Sequence, residues 1–301
     1  MRSYIITMFL TVGITHIVWS QAPDREPFGI EYTMVPDIGD VSMQQYNAQA
    51  AIGKRLGKGM IGFGVNYTHS NFTFNNATTN FDTSSYETFH TIRGNLFYRR
   101  ALGNSWSGNL VVSPVLSSNF ESGISSEDFF INAIASVSKR WRKDESLATL
   151  TMGLGYGTML GKPRFIPVIS YRKKINDQWS YGLGAPKTNV QYQLNPKNEF
   201  VAFAGFNGLF ANNSSSVTFS NTESLTDTKI QYNSLNLGLE HHFKIQPNWT
   251  TLIRLGYSPW NQLRILDNDF NEVYEFETNG SLFISMGLRF NLKTKSNENK
   301  K

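Results

Sequence analysis

The stretch SLATLTMGLGYGTML, residues 146–160, alternates apolar side chains with small or polar ones. Its apolar series is Leu150, Met152, Leu154, Tyr156 and Leu160, with Thr149, Thr151, Gly153, Gly155 and Gly157 in the other series. MIGFGVNYTH (60–69) and SLFISMGLRFNL (281–292) repeat the pattern. Because successive side chains of a β-strand point to opposite faces, this period of two predicts strands with one apolar face and one wet or tightly packed face.

These segments have the length of membrane-spanning strands, which need about 9–11 tilted residues. A secreted β-sandwich, the alternative, would have shorter strands with more Lys and Glu on the outward face. The segments lie at 28–36, 41–56, 60–73, 86–101, 106–118, 128–141, 146–160, 164–175, 179–185, 188–194, 199–211, 229–243, 249–259 and 281–292. The sequence therefore predicts an all-β fold, a transmembrane antiparallel up-and-down β-barrel of about fourteen strands. Twelve stays open, because the first, ninth and tenth segments are uncertain.

The N-terminal sequence, MRSYIITMFLTVGITHIVWSQAP, places Arg2 before an apolar run that ends near Trp19. The pattern is typical of a secretory signal peptide, and the run is shorter than the roughly 20 residues of a spanning helix. A short membrane anchor is the alternative. We predict a signal peptide at 1–22, the barrel at 23–292 and a polar tail at 293–301. The chain, which has no Cys, is expected to use the general secretion route and enter the outer membrane of a Gram-negative bacterium.

The connections between the segments alternate in length. Short turns include GKG at 57–59, NDQ at 176–178 and KIQPN at 244–248, whereas long polar loops begin at Asn212 and Pro259. Outer-membrane barrels have short periplasmic turns and longer outer loops. The alternation therefore predicts that both termini of the barrel lie on the periplasmic side.

Aromatic residues recur beside the short turns. Trp and Tyr are favourable where an apolar ring meets a wet polar tip, and barrels carry girdles of them at both interfaces. The predicted membrane-interface anchors at the periplasmic side are Tyr98, Trp106, Trp141, Tyr171, Trp179 and Trp249. An outer girdle is expected from Phe72, Tyr86, Phe129, Phe210 and Trp260.

Two stretches resemble known groups of proteins. SMGLRFNL (285–292) resembles the C-terminal sorting signal of outer-membrane barrels, with Ser285, Gly287, Phe290 and Leu292 at the matching positions. This resemblance implies recognition by the barrel assembly machinery during biogenesis. PVISYRKKINDQWSYGLG (167–184) and NVQYQLNPKNEFVAFAGFNGLFANN (189–213) resemble the uncharacterised outer-membrane β-barrel families of the Bacteroidota type, several of which carry only a domain-of-unknown-function label. That resemblance implies a fold and a location, and no activity.

The inward-facing series is rich in Asn, Gln, Ser, Thr and Gly. Its predicted lumen charges are Glu87, Arg93, Glu240, Arg254 and Arg289. Around the KIQPN turn, Gly238 is expected opposite Arg254, with Glu240 diagonal to it. Two interpretations stay open: an ion-pair network that braces a plugged barrel, and a constriction that selects solutes by charge.

Catalytic signals are weak. His90 is the best candidate for a lipid-modifying barrel enzyme, but it lies on the apolar-facing series and would meet Ser84 or Ser85 only through loop geometry. His241 and His242 are adjacent, so they point to opposite faces and cannot share a metal ion. No acid–base carboxylate pair and no phosphate loop stands out. We therefore expect no enzymatic activity, no metal, no cofactor and no nucleic-acid partner.

Three functions from different classes are compatible with these patterns. The leading hypothesis is passive passage or binding of a small or amphipathic solute. The second is a non-conducting structural barrel whose Asn- and Ser-rich outer loops bind partners, and the third is a lipid-modifying enzyme. The expected partners are outer-membrane lipid, the assembly machinery and a small solute.

Overall fold

The structure, a computed structural model, describes residues 25–74, 81–143, 146–185, 187–219 and 223–292. The predicted signal peptide at 1–22 and the polar tail at 293–301 lie outside these residues. The strands are β1 (Arg25–Val35), β2 (Val41–Leu56), β3 (Gly59–Phe74), β4 (Thr88–Gly103), β5 (Trp106–Ser118), β6 (Phe129–Lys143), β7 (Ser146–Gly157), β8 (Arg164–Lys174), β9 (Trp179–Gly184), β10 (Lys187–Asn195), β11 (Asn198–Asn213), β12 (Val217–Phe219), β13 (Glu223–Leu225), β14 (Thr228–Gln246), β15 (Trp249–Leu266), β16 (Glu272–Glu275) and β17 (Ser281–Leu292). Within these ranges no helix is long and apolar enough to cross a membrane.

Fourteen of these strands close into an antiparallel barrel. From β1 to β11, each strand pairs with the next one in the sequence. The wall then continues from β11 to β14, from β14 to β15 and from β15 to β17, and β17 pairs with β1. Every predicted segment is a barrel strand, including the short first, ninth and tenth, so the predicted all-β barrel is confirmed with fourteen strands rather than twelve. The even number is that of single-chain outer-membrane barrels.

The two faces of the wall follow the alternation. On β7, the apolar side chains Met152, Leu154 and Tyr156 point outward and are exposed. The other face of β7 packs tightly, since a Cβ on Gly153 would lie 2.2 Å from the Ala135 carbonyl oxygen of β6. Small residues on this face therefore let neighbouring strands and the inward side chains approach closely.

The two ends of the barrel differ. We call the end with the short turns, such as 57–58 and 247–248, the inner end, and the end with the long loops the outer end. The segment after Pro259, predicted as a loop, instead extends β15 to Leu266, and β16 pairs with this extension. It stays a strand because Leu263 and Ile265 on its inward face are buried, and this apolar contact outweighs the polar character of the segment.

The outer half of the bore, the space that the barrel encloses, is filled by side chains. Inward residues of the wall pack there with residues of the outer loops. We call this set the outer core: Val35, Ile38, Val41, Met43, Phe72, Phe74, Tyr86, Phe89, Leu209, Ala211, Val217, Ile230, Tyr232, Leu263, Ile265, Phe276 and Phe283, with Phe81, Phe203, Phe219, Val273 and Tyr274 at its margin. In the described part of the chain, the outer core therefore closes the outer end.

The prediction of an outer aromatic girdle is wrong for three of its five residues. Phe129 and Trp260 are exposed on the outward face, but Phe72, Tyr86 and Phe210 are buried. Phe72 lies opposite Met43 on the inward series, and Tyr86 belongs to a short 3-10 turn, Ser84–Tyr86, that covers the outer end. These three side chains lie inside the barrel, where they contact other apolar side chains instead of a membrane.

The outer ends of β11 and β14 leave the wall. Residues 209–213 and 228–234 are buried at every position, so both faces of these strands are covered. Phe210, on the outward series of β11, packs edge-on against Phe130 with ring centroids 5.2 Å apart, and Asn212 pairs with Ser118 of β5. Both Phe130 and the Val115 opposite it are buried on the inner face of the wall. The outer end of β11 therefore crosses the bore toward β5 and β6.

Candidate functional site

A group of charged side chains lies on the inward face in the inner half of the bore. Glu240 on β14 is at its centre and is only 3% exposed. The Lys187 ammonium donates a hydrogen bond to Glu240, and Arg254 Nε lies 3.1 Å from Glu240 Oε1. His242 Nε2 lies 3.1 Å from Glu240 Oε2. One carboxylate thus contacts three nitrogen bases, which offsets the cost of removing its charge from water.

Two more carboxylates extend this group. Arg254 Nη1 lies 2.7 Å from Glu31 Oε1, and Arg289 Nη2 lies 3.9 Å from the other Glu31 oxygen. His242 Nδ1 lies 3.0 Å from Glu199 Oε1. We call these seven residues the charged cluster: Glu31, Lys187, Glu199, Glu240, His242, Arg254 and Arg289. It holds three acids and three permanent bases, and the side chains of Glu31, Glu199 and Arg289 remain 21–30% exposed.

Phe203 separates the charged cluster from the outer core. Lys187 Nζ lies 4.2 Å from the centre of the Phe203 ring, and the Arg254 guanidinium lies 5.6 Å from it. Such cation–π contacts favour a positive charge over the ring face. The Phe203 ring also approaches Phe283 of the outer core, at 6.5 Å between centroids. The bore therefore changes from charged to apolar across a single side chain.

The structure brings together three of the five predicted lumen charges, Glu240, Arg254 and Arg289. Glu240 lies directly opposite Arg254, and the predicted pairing of Gly238 with Arg254 is wrong, because both strands continue to Gln246 and Trp249 and shift the register by two. Arg93 lies elsewhere on the wall, between Asn66 and Val115. Glu87 is exposed at the outer rim just before β4, so it is not a lumen charge.

Four members of the charged cluster were missed from sequence. Glu31 lies in β1, whose existence was uncertain from the sequence. Lys187 is the first residue of β10 and lies just before the uncertain segment predicted at 188–194. Glu199 and His242 pair across β11 and β14. Parity alone would have placed His242 on the series of Glu240, two residues away.

The predicted anchors surround the inner end on the outward face. Tyr98, Trp141 and Trp179 are exposed there. Lys139 Nζ lies 5.0 Å from the Trp106 ring, as expected where a long basic side chain meets an interface aromatic. Tyr171 is near Trp141, and Trp249 is near Phe290, with ring centroids 6.5 and 4.9 Å apart. These positions suit an aromatic belt, and membrane anchoring itself stays a prediction.

The residues of the predicted sorting signal lie on β17, which closes the barrel. Ser285 faces inward and its hydroxyl lies 2.8 Å from that of Thr33 on β1. A Cβ on Gly287 would lie 2.9 Å from the Ile30 carbonyl oxygen, so the strand contact requires glycine there. Leu292 ends β17, opposite Arg25. Recognition of this strand by the assembly machinery stays a prediction.

His90 lies on the outward face, away from the charged cluster. Its Nδ1 is 2.8 Å from the Tyr67 hydroxyl and 3.2 Å from His69 Nδ1. Ser85, one of the two serines considered as a partner, accepts a hydrogen bond from Asn213 at 2.9 Å. His90 thus contacts a phenol hydroxyl and a second imidazole. The expectation of no enzymatic activity stays a prediction.

Comparison with other proteins finds one family that matches most of the chain. Residues 50–291 match the family described as Domain of unknown function (DUF6268). No curated protein matches the chain.

Solved structures of similar architecture include a porin, a protein named LpxR and a toluene transporter. The NanC porin is 9% identical, with a TM-score of 0.41 over 88% of this chain and 100% of that chain. LpxR from Salmonella typhimurium is 6% identical, with a TM-score of 0.42 over 88% of this chain and 99% of that one. The toluene transporter TodX from Pseudomonas putida is 7% identical, with a TM-score of 0.38 over 87% of each chain. Similarities at this level say nothing about activity.

Proposed function

This chain belongs to that family of unknown function, and from the barrel itself we propose that it passes a small or amphipathic solute across an outer membrane. In this proposal transport is passive. The charged cluster selects the solute, and the outer core forms a gate that must rearrange before the solute passes.

Placement in an outer membrane is supported by the outward face of the barrel. Large apolar side chains are exposed on strand after strand, for example Leu96, Leu154, Leu239 and Leu255. An exposed apolar surface this extensive is unfavourable in water and normal for strands that contact lipid. Outer-membrane lipid and the barrel assembly machinery are accordingly the partners that we propose, and a catalytic role is not part of the proposal.

The charged cluster is the observation that carries the proposal. Charged side chains on the inward face of a barrel tune which solutes pass. Three of its members keep a fifth or more of their side chains exposed, so a solute that enters from the inner end meets charges. A cluster that served only to brace the wall would gain more stability from complete burial of well-matched apolar side chains.

The outer core is the observation that favours the second candidate, a non-conducting structural barrel. Its side chains fill the bore at the outer end, and Phe276 from the segment after β16 packs against Phe74 with ring centroids 5.0 Å apart. If this packing never opens, the outer loops are the surface through which the protein acts.

Conductance of the refolded protein in planar bilayers distinguishes the two candidates. We expect rare current steps from the wild type and more frequent ones from Phe276→Ala, because the cavity loosens the outer core. Ile124→Ala, at an exposed loop position, is the control and is expected to match the wild type. Glu240→Gln, combined with Phe276→Ala, is expected to shift the ion preference toward anions. Absence of steps from both wild type and Phe276→Ala would favour the structural barrel.

A further inference from the structure

The wall of the barrel is interrupted between β8 and β11. Pairing of β8 with β9 covers only residues 170–174, and pairing of β10 with β11 ends at Gly205. The outer parts of the two flanking strands, 164–169 and 206–211, have a paired strand on one side only among the residues that the structure describes. The hairpin of β9 and β10 is therefore too short to fill the wall between β8 and β11 as far as the outer end.

The space above this hairpin has defined borders. Its sides are β8 and β11, and β11 turns inward as it rises, toward Ser118 of β5. The connection between β7 and β8, residues 158–163, crosses above, where a Cβ on Gly208 would lie 3.3 Å from the Met159 carbonyl oxygen. Ala185, whose amide donates to the Ile169 carbonyl at 3.3 Å, and Lys187 at the start of β10 form the lower border. We call the opening inside these four borders the window.

The window lies at the depth of the apolar band. The six residues of β9 rise about 20 Å along the strand, and less along the barrel axis because the strands of such barrels tilt by about 40°. The apolar band of an outer-membrane barrel is about 25 Å tall. The top of the hairpin therefore stops inside the band, and Phe165 and Ile169, 70% and 58% exposed, stand beside the window on the outward face of β8.

The lower border of the window adjoins the charged cluster. Lys187 is the first residue of β10 and pairs with Gly205, the last residue of β11 that pairs with β10. Its ammonium forms an ion pair with Glu240. Phe203, two residues before Gly205, provides an apolar surface beside Lys187. A molecule at the window would thus meet apolar side chains outside and paired charges inside.

We infer that the window is a lateral entrance, through which a single-chain amphipathic solute moves between the membrane and the charged cluster. This inference rests on the proposed function and names the class of its solute. The alkyl chain lies along Phe165 and Ile169 and the polar head approaches Lys187. A continuous wall would force such a solute to cross the aqueous mouth of the barrel, where its alkyl chain is unfavourably hydrated.

Single cysteines test the entrance, because the native chain has none. The reagent is a maleimide carried on an alkyl chain and confined to phospholipid vesicles. Asn207→Cys lies on the inward series of β11 beside the window. Asn66→Cys is the matched control, because it is half-buried and inward on β3, which has paired strands on both sides. Ile169→Cys, on the outward face, reports contact with the membrane.

We expect rapid labelling of Ile169→Cys and Asn207→Cys and none of Asn66→Cys. Dodecanoate is expected to slow the reaction of Asn207→Cys with a water-soluble maleimide and to leave Asn66→Cys unchanged. Labelling of Ile169→Cys without Asn207→Cys would overturn the entrance while the proposed passage of a solute through the bore remains. Failure of Ile169→Cys to react would overturn the membrane placement and the entrance together. If dodecanoate protects Asn207→Cys and Asn66→Cys equally, or protects neither, the proposed solute class is overturned.

Discussion

The outer and inner halves of the bore are lined by the same fourteen strands but are held together by different interactions. In the outer half, inward side chains such as Phe72 and Phe89 are buried against loop residues such as Tyr86. In the inner half, Glu240, Arg254 and their neighbours form ion pairs that are partly open to water. Alternation fixes which residues face the bore, and the chemistry of those residues decides whether the bore is packed or accessible.

This contrast has an energetic basis. Each large apolar side chain buried in the outer half contributes about 1.5–3 kcal/mol relative to its exposure to water. Charges in the inner half must first lose hydration, so their pairing adds little net stability while the loss of one partner is costly. The outer half is therefore expected to supply most of the stability, and the inner half to supply selectivity.

Removal of one outer-core ring is expected to have the largest effect. Phe72 is 2% exposed and contacts the rings of Phe74, Phe89 and Tyr232. Phe72→Ala should lower the free energy of unfolding by about 3–5 kcal/mol, because it leaves a cavity that the rigid wall cannot fill. Urea titration of the protein in phospholipid vesicles measures this. Ile124→Ala is the control, with an expected change below about 0.5 kcal/mol; equal losses would show that the outer core is loosely packed.

Loss of the central carboxylate is expected to come next. Glu240→Gln should cost about 3 kcal/mol, since Lys187, 18% exposed, then keeps a half-buried ammonium without its partner. Adding Lys187→Met should recover part of that loss, because it removes the unpaired ammonium. Arg254 keeps a partner in both variants, since it still pairs with Glu31.

The same urea titration provides the control for this pair of variants. Glu275 forms an ion pair with Arg264 at the surface and accepts a hydrogen bond from its Nε at 3.0 Å. Glu275→Gln should cost less than about 1 kcal/mol. A Glu240→Gln loss no larger than that of Glu275→Gln would mean that the charged cluster is as solvated as the surface.

The smallest expected effect concerns the hydroxyl of Tyr86, which lies 2.6 Å from that of Thr228 inside the outer core. Tyr86→Phe should lower the unfolding free energy by about 1 kcal/mol near neutral pH. Burial raises the pKa of Tyr86 to about 12, above the value of about 10 in an unfolded chain. The folded state therefore retains the proton longer, and the wild type loses stability as the pH rises from about 10 to 12.

The variant lacks this ionisation, so its deficit should shrink or reverse over the same pH range. Urea titrations of wild type and Tyr86→Phe in parallel measure the difference, which removes the contribution of all other titrating groups. A deficit that stays constant across the range would show that Tyr86 ionises as freely in the folded state as in the unfolded one.

Sequence patterns determined much of the wall and less of the bore. A period of two is a local property, so all fourteen barrel strands were predicted, even β9 with six residues. The outer part of β15 was missed because Pro259 and the polar residues after it resemble a loop, and only buried contacts of Leu263 and Ile265 reveal a strand. The inward position of Phe72 could have been predicted, because the outward-facing residues of β3 have odd numbers and Phe72 has an even one.

The charged cluster was only half predictable for a different reason. Glu240 and Arg254 lie on neighbouring strands of one hairpin, so local register brings them together. Glu31 reaches Arg254 because β17 lies between their strands and closes the barrel. Lys187 reaches Glu240 because β11 lies between β10 and β14. The first contact depends on barrel closure and the second on the order of three strands in the wall, and no local pattern encodes either.

The central claim is that the bore is closed at its outer end and accessible from its inner end. Ser180 tests it directly, because it faces the bore near the inner end, where its hydroxyl donates a hydrogen bond to Gln191. Cells that carry Ser180→Cys are treated with a polyethylene glycol maleimide too large to cross porins, and Ile124→Cys in an outer loop is the control. We predict that Ile124→Cys reacts in intact cells and that Ser180→Cys reacts only after the outer membrane is permeabilised. Equal reaction of Ser180→Cys before and after permeabilisation would contradict the account.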